Sequence, residues 1–463
     1  MTAENGFARK LGLFDASMIV MGGIIGSGIF INSYVVAQRV HTPALILGVW
    51  LIGGIVALIG AFVYAELASA RPAVGGQYAY IREAYHPAAA FAYGWALLLV
   101  IQTGGMAAVA ITFAKYLNAL VQTGIPDWLI AISTLAILTC INCLGVKPGA
   151  MVQNILMILK ILAIATLVIC GFSMTSSAHL SLSPVIDQPF SFDLLRTIGA
   201  AMIPVLFAYG GWQTSNFIAG EIREPEKNLP RGLILGVCGV IALYLLVNLV
   251  YVGALGTEGL PQTSTPASQV MRLALGEFGA RFIAIGIAIS TLGFLSQSIL
   301  TGPRVYYAMA KDGLFFKSVA WLHPKTQVPM VAIVVQGILA IIVALSGKYE
   351  QILNYVVSQD FIFFGLSATC IFVFRKRGIS GSYRTWGHPF TTLFFVAVCW
   401  LVVADTFYSY PGNTLIGLGI MLAGIPVFFY WRRKNRASVP NEKEGPPLPP
   451  PSKRRGFKKS CLG

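Results

Sequence analysis

The chain has 463 residues, 56% of them apolar and only 11% charged, with a mean hydropathy of +0.72. Soluble domains carry about 25% charged residues, so the composition excludes an ordinary soluble domain and points to an all-α polytopic membrane protein. The formal charge of +15 gathers most of its excess after Tyr430; a lipid bilayer accounts for it as surface and orientation charge, and no nucleic-acid partner is required.

Apolar runs separated by turn and charge signals give twelve transmembrane helices, at residues 14–38, 44–70, 88–118, 126–145, 151–172, 194–219, 231–256, 280–311, 328–346, 350–374, 388–409 and 412–431. Residues 1–13 form a polar N-terminal segment, and no cleavable signal peptide is evident.

The first span holds the most unusual stretch. Residues 14–38 make about 37 Å of helix, enough for a hydrocarbon core of about 30 Å, yet Gly26-Ser27-Gly28 interrupts the run near its middle. Each glycine costs about 1 kcal/mol of helix propensity relative to alanine. A break at that depth survives only beside protein or a wet cavity. It would aim free N–H groups at an anion and free C=O groups at a cation, which together suit a zwitterion such as an α-amino acid. The same glycines also fit close helix packing.

Glu66 ends the second span and suits a structural ion pair with an arginine of the loop that follows. The following loop, Arg71 to Glu83, has proline and paired glycines that predict a short re-entrant or interfacial turn. Gln102 to Gly105 offers small and polar residues at mid-depth in the third span, suited to a pocket wall or to helix packing. Cys140 and Cys143 have redox spacing, but they lie inside the fourth span without a second pair and read as buried thiols.

In the fifth span Lys160 sits about 13 Å from the segment start, with apolar residues on both sides. A charge at that depth is expensive unless paired, hydrated or neutralised, so it reads as functional. The sixth span then repeats the opening pattern, with Gly210-Gly211 at mid-span, aromatic residues on both sides and Pro204 removing one backbone bond. Two glycine-interrupted spans at corresponding positions of two five-span halves point to an inverted-repeat transporter with a midplane site.

After Trp431 the chain turns basic and proline-rich, and residues 432–463 read as a disordered cytoplasmic tail with affinity for anionic headgroups. Lysine and arginine concentrate on one side, for example at Arg9-Lys10 and Arg375-Lys376-Arg377; the other side holds only Arg39, Lys115, Arg196, Arg272, Arg281 and Lys348. The positive-inside rule places both termini in the cytoplasm.

Five motifs in order, Gly26-Ser-Gly-Ile-Phe30, Val74-Gly-Gly-Gln-Tyr-Ala-Tyr80, Phe207-Ala-Tyr-Gly-Gly-Trp212, Glu221 to Pro230 and Arg304 to Gly313, resemble the amino acid–polyamine–organocation superfamily, closest to its L-type amino acid transporter branch. The resemblance covers about residues 10–431. It implies the leucine-transporter-like fold: a five-plus-five inverted repeat, residues 14–172 and 173–374, with two added helices in 375–431. It also implies sodium-independent exchange of small to medium neutral amino acids by alternating access in the plasma (inner) membrane, with no enzyme activity and no cofactor.

By the same resemblance, Ser27 and Gly28 present N–H groups to the substrate carboxylate, while Ile24 and the carbonyls of Phe207, Ala208 and Tyr209 receive the ammonium. Phe207 is similar to the family's aromatic gate, and Gly210 and Gly211 keep that wall thin. Lys160 matches the lysine that stands where sodium-coupled relatives hold a sodium ion, with Ser296 and Ser298 as its acceptors. Tyr244 resembles a substrate-proximal hydroxyl, with Tyr251 as competitor. Gln213 and the Ser296-Gln-Ser298 run depart from the branch pattern. No outer-loop cysteine precedes the fourth span, which argues against the disulfide-linked ancillary subunit of animal members.

Coupling stays open between exchange with a permanently charged Lys160 and proton symport through it. Asp360 and Asp405 are assigned away from the site, which favours neutral over cationic substrates or polyamines. A metalloenzyme is disfavoured because His41, His86, His179, His323 and His388 lie in loops or at span ends without metal spacing. A channel lacks a visible filter, and a non-transporting amino acid sensor fits the same fold.

Overall fold

The computed structural model describes residues 7, 9–121, 124–175, 180–187, 189–346, 349–409 and 411–438. Within them the chain is helical, in sixteen α-helices: α1 Leu13–Ile24, α2 Gly28–Ala37, α3 Pro43–Ala70, α4 Gln77–Ala84, α5 Pro87–Ala96, α6 Gln102–Val121, α7 Asp127–Cys143, α8 Val146–Phe172, α9 Phe192–Ala208, α10 Pro225–Gly259, α11 Pro266–Thr301, α12 Pro303–Lys311, α13 Met330–Ser346, α14 Tyr349–Lys376, α15 Phe390–Ser409 and α16 Pro411–Ser438. A π-helical turn, Leu97–Ile101, joins α5 to α6, and a 3-10 helix, Trp212–Glu221, follows α9.

Local chemistry sets many of the starts. Proline in the first turn opens α3, α5, α10, α11 and α12, where its missing N–H costs nothing. Thr42 Oγ1 accepts the Leu45 N–H at 3.1 Å before α3, and Ser191 Oγ accepts that of Leu194 at 3.2 Å before α9.

Nine helical stretches among the described residues are long and apolar enough to cross a bilayer, and ten when α1 and α2 are taken as one span bent by 43°. The fourth and ninth predicted spans correspond to α7 and α13, each of 17 residues, or about 26 Å, short of a hydrocarbon core of about 30 Å. Polarity is arranged as lipid requires. On α8, Ile155, Ile158, Leu159, Leu162 and Ile169 are exposed while Gln153 and Lys160 are wholly buried.

The loop after α3 carries α4, the ordered turn expected there. Glu66 is held by Arg375 in a two-pronged pair, 2.8 Å on each prong, whereas the nearer Arg71 pairs with Glu83 at 2.7 Å. The last helix runs past its expected end to Ser438, so Arg432, Arg433 and Lys434 lie on helix rather than in a disordered tail. Lys434 Nζ stands over the rings of Tyr430 and Trp431, at 6.0 and 5.2 Å from their centres, a favourable placement for a cation at a helix end. The proline-rich part of the tail lies outside the described residues.

The N-terminal segment is fastened to the body. Lys10 and Leu11 N–H groups donate to the Glu221 carbonyl at 2.9 and 3.0 Å, and Arg223 N–H returns a bond to Leu11 at 2.8 Å. Phe7 packs edge-on against Tyr307 at 4.9 Å. Beneath them, Arg304 and Glu221 form a fully buried pair, Nε to Oε1 at 2.7 Å and Nη2 to Oε2 at 3.2 Å.

Candidate functional site

The first span is broken where its glycines fall. Helix α1 ends at Ile24, Ile25 is extended at φ −77° and ψ 95°, and α2 restarts at Gly28 with no side chain capping it. The carbonyls released at the break are taken up one by one. Tyr244 Oη lies 3.3 Å from the Ile24 oxygen, Lys160 Nζ donates to Ile25, and Ser290 Oγ donates to Gly26 at 2.9 Å. The first N–H groups of a helix have no partner within it, and Gly26, Ser27 and Gly28 at this start line a cavity.

The second break follows α9. Tyr209 and Gly210 N–H groups close tight turns onto Val205 and Phe207, both at 3.0 Å, and Gly211 turns left-handed at φ +100°. The Gln213 amide oxygen accepts the Gly211 N–H at 3.1 Å, and Thr214 Oγ1 donates to the Gly211 carbonyl at 2.7 Å. Asn32 of α2 donates to the Pro204 carbonyl at 2.7 Å, tying the two broken spans together. Tyr244 also lies 3.2 Å from the Ala208 carbonyl, so one hydroxyl proton is shared between the ends of α1 and α9.

The cavity between the breaks has a volume of about 90 Å³, several times the ~10–15 Å³ that one water needs. Ile24, Ser27, Gly28, Phe207, Ala208, Gly210, Gly211 and Ser298 line it, together with Gln102, Gly105, Gln213, Thr214, Gln297 and the α14 residues Val356, Asp360 and Phe364. The π-helical turn lies just ahead of Gln102, which donates to the Ser298 carbonyl at 3.0 Å; such turns recur at functional sites.

Tyr209, Tyr244, Lys160 and Ser296, all expected at the site, stand behind this wall. Tyr209 turns its ring onto Trp50 and Tyr244, with centres 5.9 and 5.0 Å away. Tyr244 meets the cavity through the carbonyls it holds, and Tyr251 is buried elsewhere, its hydroxyl without a partner among the described residues.

Lys160 is wholly buried and bonds the Ile25 carbonyl rather than Ser296 or Ser298. The Ser296 hydroxyl has no partner among the described residues, and the Ser298 carbonyl takes bonds from Gln102 and Gln336. The ammonium does reach α11, but at Gly293, where a Cβ would meet it at 3.4 Å. A bare backbone oxygen at a helix break is a stronger acceptor for an ammonium than a serine hydroxyl already placed inside a helix.

Asp360, set aside on sequence grounds, lies on the cavity wall. Its position inside an apolar run was the available signal, the same one that singled out Lys160. Gln297, which donates to Thr214, carried no comparable signal. Among the described residues no cluster of histidine, cysteine or acidic side chains is suited to a metal ion.

A family model described as "Amino acid permease" matches residues 11–430. Large neutral amino acids transporter small subunit 2 of Homo sapiens is 31% identical over 438 residues, 92% of this chain and 81% of that protein. The serine/threonine exchanger SteT of Bacillus subtilis is 30% identical over 447 residues, 94% of this chain and 100% of that protein. The human cystine/glutamate transporter is 28% identical over 439 residues, covering 92% and 87%.

Proposed function

From the premise that this chain belongs to the amino acid permease family, we propose that it exchanges neutral amino acids across a membrane by alternating access, without sodium. The carrying observation is that two broken helices, α1/α2 and α9 with its 3-10 continuation, turn backbone ends of opposite polarity onto one cavity. The start of α2 offers N–H groups and partial positive charge to a carboxylate, and the ends of α1 and α9 offer carbonyls to an ammonium. A carbonyl has two lone pairs, so Ile24 and Ala208 retain capacity beside Tyr244.

In this reading Ser27 and Gly28 hold the carboxylate, and Ile24, Phe207 and Ala208 hold the ammonium through their carbonyls, with Tyr209 set behind them. Phe207 covers the solute, Gly210 and Gly211 leave it room, and Tyr244 sets the spacing of the two breaks. Lys160 holds the Ile25 carbonyl, tying the first span to α8 and α11 where a bound sodium ion would otherwise be needed. Ser296 and Ser298 belong to that same seam on α11, without a direct bond to the ammonium.

The architecture proposed with it has twelve crossings, a first repeat over residues 14–172, a second over 173–374 and two further helices in 375–431. The matching breaks support it. Both termini are proposed to be cytoplasmic on the asymmetry of lysine and arginine, and the plasma membrane is proposed as the site of exchange. No outer-loop cysteine is available for a disulfide to an ancillary subunit. Neutral substrates are supported by relatives named for large neutral amino acids and for serine and threonine.

Purified protein in proteoliposomes is expected to take up labelled L-threonine only when unlabelled neutral amino acid is inside, at the same rate with sodium replaced by potassium. No flux, or equal uptake into empty vesicles, would defeat exchange.

A further inference from the structure

Among the described residues lining the cavity Asp360 is the one ionisable side chain, set between Val356, Val357, Phe361 and Phe364. It lies eleven residues into α14, which begins at Tyr349, or about 16 Å from the helix start. No hydrogen bond or ion pair holds it among the described residues.

The elements packed against α14 supply no counter-charge. On α3, Glu66 is committed to Arg375; on α4, Arg82 is committed to Asp312 and Glu83 to Arg71. Lys115 on α6 is exposed, Asp405 on α15 is itself an acid, and Arg432 and Arg433 are at the far end of α16. The phenols of Tyr64 and Tyr93 both bond the Gln77 amide, at 2.7 and 2.8 Å. Lys160 is behind the wall on the Ile25 carbonyl.

A carboxylate offers acceptors only, and an ionised one in an apolar chamber is costly until a positive charge meets it. We propose that Asp360 is a subsite for a positive charge that enters with the substrate. That charge is either the side-chain ammonium of the amino acid or a proton taken up beside a neutral one. The inference rests on the cavity being the amino acid site. It also removes the ground on which cationic substrates were set aside, since an acid does face the solute.

The test uses the full chain in proteoliposomes loaded with L-threonine, comparing wild type, Asp360→Asn and Asp360→Glu. Labelled L-threonine and L-ornithine uptake are measured at external pH of about 5.5 and about 7.5, a change of about a hundredfold in external proton concentration. If the ammonium is the source, wild type takes up ornithine, Asp360→Asn loses that uptake by about tenfold or more, and Asp360→Glu keeps part of it. If the proton is the source, external acid stimulates threonine uptake about threefold or more in wild type and in Asp360→Glu but not in Asp360→Asn. Threonine exchange with neither effect in wild type, or with the effect intact in Asp360→Asn, overturns the proposal and leaves the exchanger reading standing. Absence of any amino acid flux overturns both.

Discussion

Gly23 of α1 and Gly211 beyond α9 lie so close that neither position has room for a side chain. A Cβ on Gly23 would stand 2.6 Å from the Gly211 carbonyl oxygen, and a Cβ on Gly211 would overlap the Gly23 oxygen. This backbone-to-backbone contact is where the two broken spans meet.

Gly211→Ala is therefore expected to lower threonine exchange by about tenfold or more, since the left-handed φ costs about 1–2 kcal/mol before the clash is counted. Gly23→Ala should behave alike. Gly210→Ala, whose Cβ would meet nothing nearer than the Phe207 oxygen at 3.2 Å, should lose far less. Equal rates across the three variants in reconstituted vesicles would remove the contact from the mechanism.

Gly105 lines the cavity and has no atom within 4 Å of where its Cβ would lie. Gly105→Val should fold with a thermal midpoint within about 2 °C of wild type. It should raise KM for large neutral amino acids while sparing the smallest ones. Competition assays against labelled L-threonine with a graded series of side chains would read this directly, and an unchanged size profile would place the solute elsewhere.

Lys160→Met keeps the length of the side chain and removes the charge from the Ile25 carbonyl. Exchange should fall by about tenfold or more, while stability should hold or rise, because an apolar isostere relieves the desolvation of a buried, unpaired charge. Transport at the wild-type rate would take Lys160 out of the mechanism. A collapse of the folded protein would make its role structural.

The Arg304–Glu221 pair, with both side chains fully buried, predicts an asymmetry. Glu221→Gln or Arg304→Met alone leaves a buried charge and should cost about 3–5 kcal/mol, whereas the double variant should recover much of that loss. A double-mutant cycle on unfolding midpoints checks it, and simple additivity would contradict the coupling.

Both breaks were readable because Gly26, Gly28, Gly210 and Gly211 stand in runs that otherwise have no reason to carry glycine. Lys160 was readable for its depth. Its partner was not, because residue types show a serine hydroxyl at 296 or 298 but do not show a carbonyl set free at Ile25. Tyr209 and Tyr244 were placed near the right backbone, yet which ring faces the solute depends on helix rotation. Asp360 was misplaced for the same reason: α14 is apolar around most of its circumference, so its sequence does not fix which face turns inward. The extra turns of α16 were not readable either, because the contact of Lys434 with the Tyr430 and Trp431 rings is made only once the helix has formed.

The pairing of residues 10 and 11 with Glu221 and Arg223, and of Phe7 with Tyr307, ties the beginning of the chain to the segment that follows the second break. Any rearrangement that shifts the 3-10 segment against the start of α1 must therefore carry Lys10 and Leu11 along with it or part these backbone bonds.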